Sequence, residues 1–393
     1  MTVAGATDAG HGDGPSPRAD DPARDDNDRF ARQRIIPGWD QGRLAVATVV
    51  VVGTGALGNE VAKNLALAGA GRLVLCDPDV VAVSNLSRTV LFGADDVGKP
   101  KAVAAAAALR HLAPSTVVSP RVADLVSGVG LGELADADLV IGCVDTRRAR
   151  VQLLGRCSLA GTVLLDGGTS PSGAELRLRV KADEPCFGCT LSAHQRSVSD
   201  LPWSCSEPIP DELPQASAIA TTAVAGGWLC STAFQVLLGA EPPWRMLSID
   251  VADGRAGPVA MTRDPACPLH RPLDGPVITS TASDASTAAE FLATLHDEDE
   301  PCTWNSFALP VTCRRCGVAP DLKGDLAPWT VLPCPRCGAT VRQARSTRLR
   351  DADPAATLAA LGVAPEEILP VVTGGGEMTC HRLIPATAPM TRR

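Results

Sequence analysis

The sequence predicts an α/β protein: a doubly wound, mainly parallel sheet, with a small metal-stapled module near the carboxyl end. Three observations carry this expectation. Buried-type β-branched runs alternate with helical patterns through the first half of the chain. A glycine-rich turn joins the first of those runs to the first helix. Past residue 310, two Cys-x-x-Cys pairs stand seventeen residues apart. At 393 residues the chain is long enough for two or three domains.

Residues 1–28, rich in Gly, Pro and Asp, are expected to be a disordered tail. Order begins near Arg29. Ala45 to Val52 reads as a buried strand, and Gly53-Thr-Gly55-Ala-Leu-Gly58 opens a helix from Asn59 to Ala68. Arg72 to Cys76 is the second strand, ending on Asp77-Pro-Asp79. The Ala-rich run Lys99 to Leu112 is helical. Further strands are expected at Asp138 to Cys143, Thr162 to Leu165 and Glu175 to Val180. Ala216 to Ala240 lacks any charge, but its Ser, Thr, Gly and Gln and the lack of basic flanks favour a buried helix over a membrane span. The main unit is thus expected at 29–276, a Ser/Thr/Ala-rich linker at 277–300, a Cys-bearing module at 301–347 and an extension at 348–393.

Composition removes several function classes. A net charge of -8 argues against non-specific nucleic-acid binding and against an anionic membrane surface. With no Tyr and 3% aromatics, base-stacking platforms are not expected. The chain opens without an apolar signal segment, so a cytoplasmic, reducing compartment is expected, where the 14 Cys read as metal ligands or reactive thiols.

Gly53, Gly55 and Gly58 follow a strand and open a helix, where free N–H groups and a partial positive charge suit a phosphate. Asp77 and Asp79 stand where a carboxylate can hold ribose hydroxyls. Alone, this Rossmann-like pattern fits NAD, FAD or ATP equally. Ser84-Asn85-Leu86-Ser87-Arg88, Gly98-Lys99-Pro100-Lys101 and Asp145 tip the choice. Transfer of a nucleotidyl group needs cations where charge builds on the α-phosphate and the leaving pyrophosphate. Arg88 and Lys101 can supply them, and Asp145 can hold Mg²⁺.

With these motifs in order, the sequence resembles the ThiF/MoeB and ubiquitin-activating superfamily from about Arg29 to Leu273. The resemblance is carried by Arg29-Phe-Ala-Arg32-Gln33, the glycine turn with Asn59-Glu60, Asp77-Pro-Asp79, Ser84-Asn85-Leu86-Ser-Arg88, Gly98-Lys-Pro-Lys101 and Cys143-Val-Asp145. It implies adenylation of the C-terminal carboxylate of a ubiquitin-like or sulfur-carrier protein ending in glycine. Asp79 would bind the ATP ribose, and Asn85, Arg88 and Lys101 the phosphates, with Asp145 supporting Mg²⁺. The resemblance also implies a homodimer in which Arg32 reaches the partner subunit's site. Thr89 departs from the Gln usual in the family.

Cys186-Phe-Gly-Cys189 and Cys267-Pro-Leu-His270 together offer three thiolates and an imidazole, a closed tetrahedral zinc set. The resemblance places a zinc tetrad here, usually of four cysteines. Cys313-Arg-Arg-Cys316 and Cys334-Pro-Arg-Cys337 have zinc-ribbon spacing, and Zn²⁺ would supply the folding energy that so short a module lacks. The module's arginines make it locally basic, and protein docking is the preferred reading. In sulfur-carrier relatives a cysteine placed like Cys205 links covalently to the carrier, with sulfur from a donor outside this chain. Cys76, Cys143, Cys157 and Cys230 are expected in the core. Two other enzymatic readings stay open: adenylation of a peptide or tRNA-linked carboxylate by the same constellation, and a NAD-dependent oxidoreductase. A zinc-binding adaptor with a degenerate nucleotide fold is the non-catalytic alternative.

Overall fold

The computed structural model describes residues 27–197, 218–318 and 331–386. An eight-stranded sheet runs in the order β3-β2-β1-β4-β5-β6-β7-β8, with β1 Thr48–Val52, β2 Arg72–Cys76, β3 Val117–Arg121, β4 Leu139–Gly142, β5 Leu164–Thr169, β6 Gly173–Arg179, β7 Met246–Asp250 and β8 Arg255–Pro258. β3 to β5 are parallel. β6 to β8 continue the sheet antiparallel, as a hairpin and meander.

The valines of β1 show how the layers form. Strand alternation sends Val49 and Val51 into one core, with the helices Ala56–Leu67 and Ile219–Leu237. Val50 and Val52 enter the opposite core, with Leu153, Leu154 and Cys157 of the helix Arg147–Ala160. All four valines are essentially unexposed, each contributing about 1.5–3 kcal/mol through burial.

The uncharged segment near residue 220 is the helix Ile219–Leu237. It packs along Ala56–Leu67, where Gly226 allows so close an approach that a Cβ there would sit 2.8 Å from Cβ of Glu60. Among the described residues, no helix is long and apolar enough to cross a membrane.

Several boundaries differ from the sequence expectation. Ala45 and Val46 belong to a short helix, Gln41–Val46, because Asp40 caps it by accepting from Arg43 N; β1 starts only at Thr48. Strand β3 escaped notice because it contains Pro120. Proline is tolerated there since β3 lies at the sheet edge.

Residues 277–300 are not a bare linker. They contain β9 Val277–Thr279 and the helix Ala288–Leu292, whose Phe291 is fully buried. β9 joins a second sheet in the order β13-β10-β14-β15-β9, with β10 Glu300–Ala308, β13 Arg345–Arg348, β14 Ile368–Val372 and β15 Met378–Arg382. The Cys-rich module is a detour between β10 and β13, with its own hairpin of β11 Val331–Pro333 and β12 Thr340–Arg342.

The carboxyl-end sheet is docked on the first unit. Glu367, 1% exposed, accepts from Arg156 Nη2 at 2.7 Å and from Leu131 N at 3.0 Å. Trp304 packs into the same core as β1 and donates from Nε1 to Ile368 O at 2.8 Å. Residues 1–26 of the expected tail lie outside the described residues.

Candidate nucleotide cleft and metal clusters

The cleft lies where the strand order reverses, at the carboxyl ends of β1 and β4, with β2 on one side and β5 on the other. Its volume is about 1020 Å³. Gly53, Gly55, Asp77, Asp79, Asn85, Arg88, Lys101 and Asp145 all line it. Two glycines are sterically required. Gly53 has φ +88°, and a Cβ there would lie 2.5 Å from Cys143 O. A Cβ on Gly58 would lie 1.9 Å from Gly53 O, so Gly58 sets the close packing of turn and helix rather than the cleft wall. Gly55 is the N-cap of the helix Ala56–Leu67, whose first N–H groups therefore face the cleft.

Side chains from three segments hold this turn in place. Asp77, buried at 5% exposure, accepts from Thr54 N at 2.7 Å, Thr54 Oγ1 at 3.1 Å and Asp79 N at 2.9 Å. Its carboxylate is thus committed to protein donors. Asp79 is exposed and pairs with Lys101 Nζ at 2.7 Å, while the lysine side chain itself is 13% exposed. Asn59, fully buried, donates to Thr54 O and accepts from Leu91 N, tying the turn to the segment that bears Asn85 and Arg88. Asn85 Oδ1 accepts from Ala82 N, and Arg88 Nη1 donates to Ser84 O at 2.7 Å. Thr89, the departure from the family pattern, is buried and donates to Asn85 O. Asp145 is exposed just past β4, before the helix Arg147–Ala160 that Thr146 caps. Arg32 is exposed on the short helix Ala31–Arg34 and does not line the cleft of its own chain. Cys205 lies outside the described residues.

Sequence reasoning missed the far end of the cleft. There Arg150 donates to Asp166, to Gly167 O at 3.1 Å and to Val144 O at 2.8 Å. Arg177 reaches the same Asp166 at 3.4 Å and pairs with Glu175. Phe187 lies under both guanidinium groups. Arg150 sits among three arginines of Arg147-Arg148-Ala149-Arg150, and nothing local marks it out. Arg177 and Asp166 meet only through the β5–β6 pairing.

Two ligand clusters are assembled, both as the spacing predicts. In each, the four ligand atoms lie within 4.8 Å of one another. Cys186 Sγ lies 3.7 Å from Cys189 Sγ and 3.9 Å from Cys267 Sγ; His270 Nε2 lies 3.1 Å from Cys189 Sγ. A tetrahedral ion with Zn–S bonds of about 2.3 Å spaces its sulfurs roughly 3.8 Å apart, so the set fits zinc. His270 turns inward because its Nδ1 hydrogen-bonds Ala182 O at 2.7 Å, which leaves Nε2 for the ion. In the second cluster, Cys313–Cys337 and Cys316–Cys334 are each 3.6 Å apart. Backbone N–H groups of Arg315 and Cys316 aimed at Cys313 pull its thiol down to about 6, favouring the thiolate that a metal needs.

The other expected core cysteines divide. Burial pushes the thiols of Cys76, Cys157 and Cys230 up to about 12, as core residues. Cys143 is half-buried in the cleft wall. Cys380, unexplained by sequence, is buried on β15 and donates to Asp274 O.

Comparison with known proteins extends these observations. The bovine (Bos taurus) "Adenylyltransferase and sulfurtransferase MOCS3" is 37% identical over 172 residues, 43% of this chain and 38% of that protein. The chain thus spans well under half the length of this curated relative. The "SAMP-activating enzyme E1" of Haloferax volcanii is 32% identical over 251 residues, 62% of this chain and 88% of the relative. Among solved structures, the crystal structure of E. coli MccB with MccA-N7isoASN shares the fold, with 22% identity, a TM-score of 0.52, and coverage of 62% of this chain and 75% of that one. The ThiF family matches residues 29–269, a span that takes in the glycine turn, every cleft residue named above and the three cysteines of the first cluster, ending one residue before His270. With more than half its length so matched, the chain belongs to the ThiF family.

Proposed function

We propose that this chain is an ATP-dependent adenylyltransferase acting on the C-terminal carboxylate of a small ubiquitin-like or sulfur-carrier protein that ends in glycine. The observation that carries this reading is the gathering of Arg88, Lys101, Asn85, Asp79 and Asp145 around one helix N-terminus in one cavity. A nicotinamide oxidoreductase has no need of so many charged groups at the phosphates.

The helix N-terminus past Gly55 receives the triphosphate, and Asp79 the ribose. A carboxylate oxygen of the carrier attacks the α-phosphorus. The bond from that phosphorus to the oxygen bridging to the β-phosphate breaks, giving an acyl-adenylate and pyrophosphate. Lys101 and Arg88 stabilise the charge that builds on the phosphate oxygens. Mg²⁺, held with the help of Asp145, would neutralise part of the triphosphate charge.

The exposed position of Arg32, outside its own cleft, supports its use by a partner subunit in a homodimer. The exposed apolar residues Ile35, Ile36, Ile219, Val224 and Trp228 suit such an interface. A thiolate, with Cys205 as the candidate, then attacks the acyl carbonyl and releases AMP. The sulfur would come from a separate donor. Both zinc clusters offer four protein ligands and no open position, so zinc would serve the fold. All the described cysteines are free, which suits a reducing, cytoplasmic setting.

The test is carrier-dependent ATP–pyrophosphate exchange, with mass spectrometry for AMP on the carrier terminus. Exchange should fall about 10²–10³-fold in Lys101→Ala. Binding of a dinucleotide without exchange on any glycine-terminated carrier would overturn the reading.

A further inference from the structure

Phe187 sits between two of the three thiols of the first cluster, in Cys186-Phe187-Gly188-Cys189. Gly188 holds the loop tight: a Cβ there would lie 3.0 Å from Cys267 Sγ and 2.6 Å from Leu269. The phenyl ring is therefore fixed by the metal-ligating loop, yet it lines the nucleotide cleft. The guanidinium carbon of Arg177 stands 4.8 Å from the ring centroid and that of Arg150 stands 5.9 Å away. Both distances lie within cation–π reach.

The two arginines are restrained unequally. Arg150 is anchored to Asp166 and to two backbone carbonyls. Arg177 has one long bond to Asp166, at 3.4 Å, and a pair with Glu175, whose side chain is 48% exposed. The Phe187 ring, 4.8 Å away, covers one face of the Arg177 guanidinium. Arg177 also stands at the β5–β6 end of the cleft, away from the glycine turn that would hold the triphosphate.

We propose that Phe187 is a positioning residue that holds the Arg177 fork where the incoming carboxylate must be oriented. The inference rests on the adenylation reading above. A guanidinium fork matches a carboxylate with two parallel bonds, and here it reaches that geometry by trading its exposed partner Glu175 for the substrate.

Three variants test it: Phe187→Leu, Phe187→Trp and Arg177→Lys. In steady-state assays Phe187→Leu should raise KM for the carrier about tenfold while KM for ATP stays unchanged. Phe187→Trp, which restores a cationic seat, should recover the carrier KM. Arg177→Lys keeps the charge and loses the fork, and should show the same carrier-selective rise, so the test survives if Phe187→Leu folds poorly. Independently of activity, phenylglyoxal labelling of Arg177, followed by peptide mass spectrometry without nucleotide or carrier, should quicken in Phe187→Leu at unchanged zinc content. Unchanged labelling and unchanged carrier KM in an active enzyme would overturn the clamp alone. Equal rises for ATP and carrier would also overturn it, as general damage to the cleft. A wild-type protein that adenylates no carrier but shows the labelling difference would remove the adenylation reading and the carboxylate role together.

Discussion

Asp77 and Asp79 follow the same strand, two residues apart, and their surroundings give them different work. Asp77 is buried and spends its oxygens on Thr54 and on the amide of Asp79. Asp79 faces solvent beside Lys101. Asp77→Ala should therefore lower stability by about 1–3 kcal/mol, seen as a lower denaturation midpoint, because buried donors lose their acceptor. Asp79→Ala should leave the midpoint near wild type and weaken ATP binding in calorimetry. Both residues read alike in the sequence as ribose ligands. The distinction depends on Thr54, 23 residues upstream of Asp77, which only the parallel pairing of β1 with β2 brings into reach.

Among the elements, legibility followed locality. Strand β2 was readable to the residue, since Arg72–Cys76 is an apolar run between clear breakers. The helix Arg147–Ala160 was not, because its four arginines are scattered around its circumference and one of them, Arg156, is buried. The helix in 277–300 had a signal that Ser/Thr-rich composition obscured. Thr287 and Glu290 cap one another reciprocally, with Glu290 N bonded to Thr287 Oγ1 and Thr287 N to Glu290 Oε2. Each Cys-x-x-Cys or Cys-x-x-His pair was legible because its spacing is local, whereas the joining of Cys186 and Cys189 to Cys267 and His270 spans about 80 residues.

The ribbon module leaves β10 and returns at β13 while those strands pair directly, Phe307 against Ser346 and Ala308 against Arg345. Replacing residues 310–343 by a short glycine-containing turn should therefore leave the remaining chain folded by circular dichroism. Zinc measured by atomic emission should fall from two ions per chain to one. His270→Ala should instead loosen the other cluster, lowering zinc by one and the denaturation midpoint with it.

In the molecule as a whole, two sheets share one buried ion pair. Arg156 and Glu367 are 5% and 2% exposed in their side chains and 2.7 Å apart. Glu367→Ala should destabilise the protein by about 3–5 kcal/mol in urea unfolding, because it strands a buried cation. The double variant Arg156→Met with Glu367→Leu should recover most of that loss. Gly130 and Gly132 complete the seat, since a Cβ on either would collide with backbone oxygens of residues 365–366.

Arg156 lies on the same helix as Arg150, six residues and roughly 9 Å further along. That rod makes the far sheet a keel for the cleft end. An expression fragment stopped at residue 276 would leave Arg156 without Glu367 and its apolar seat uncovered, and would arrive sticky.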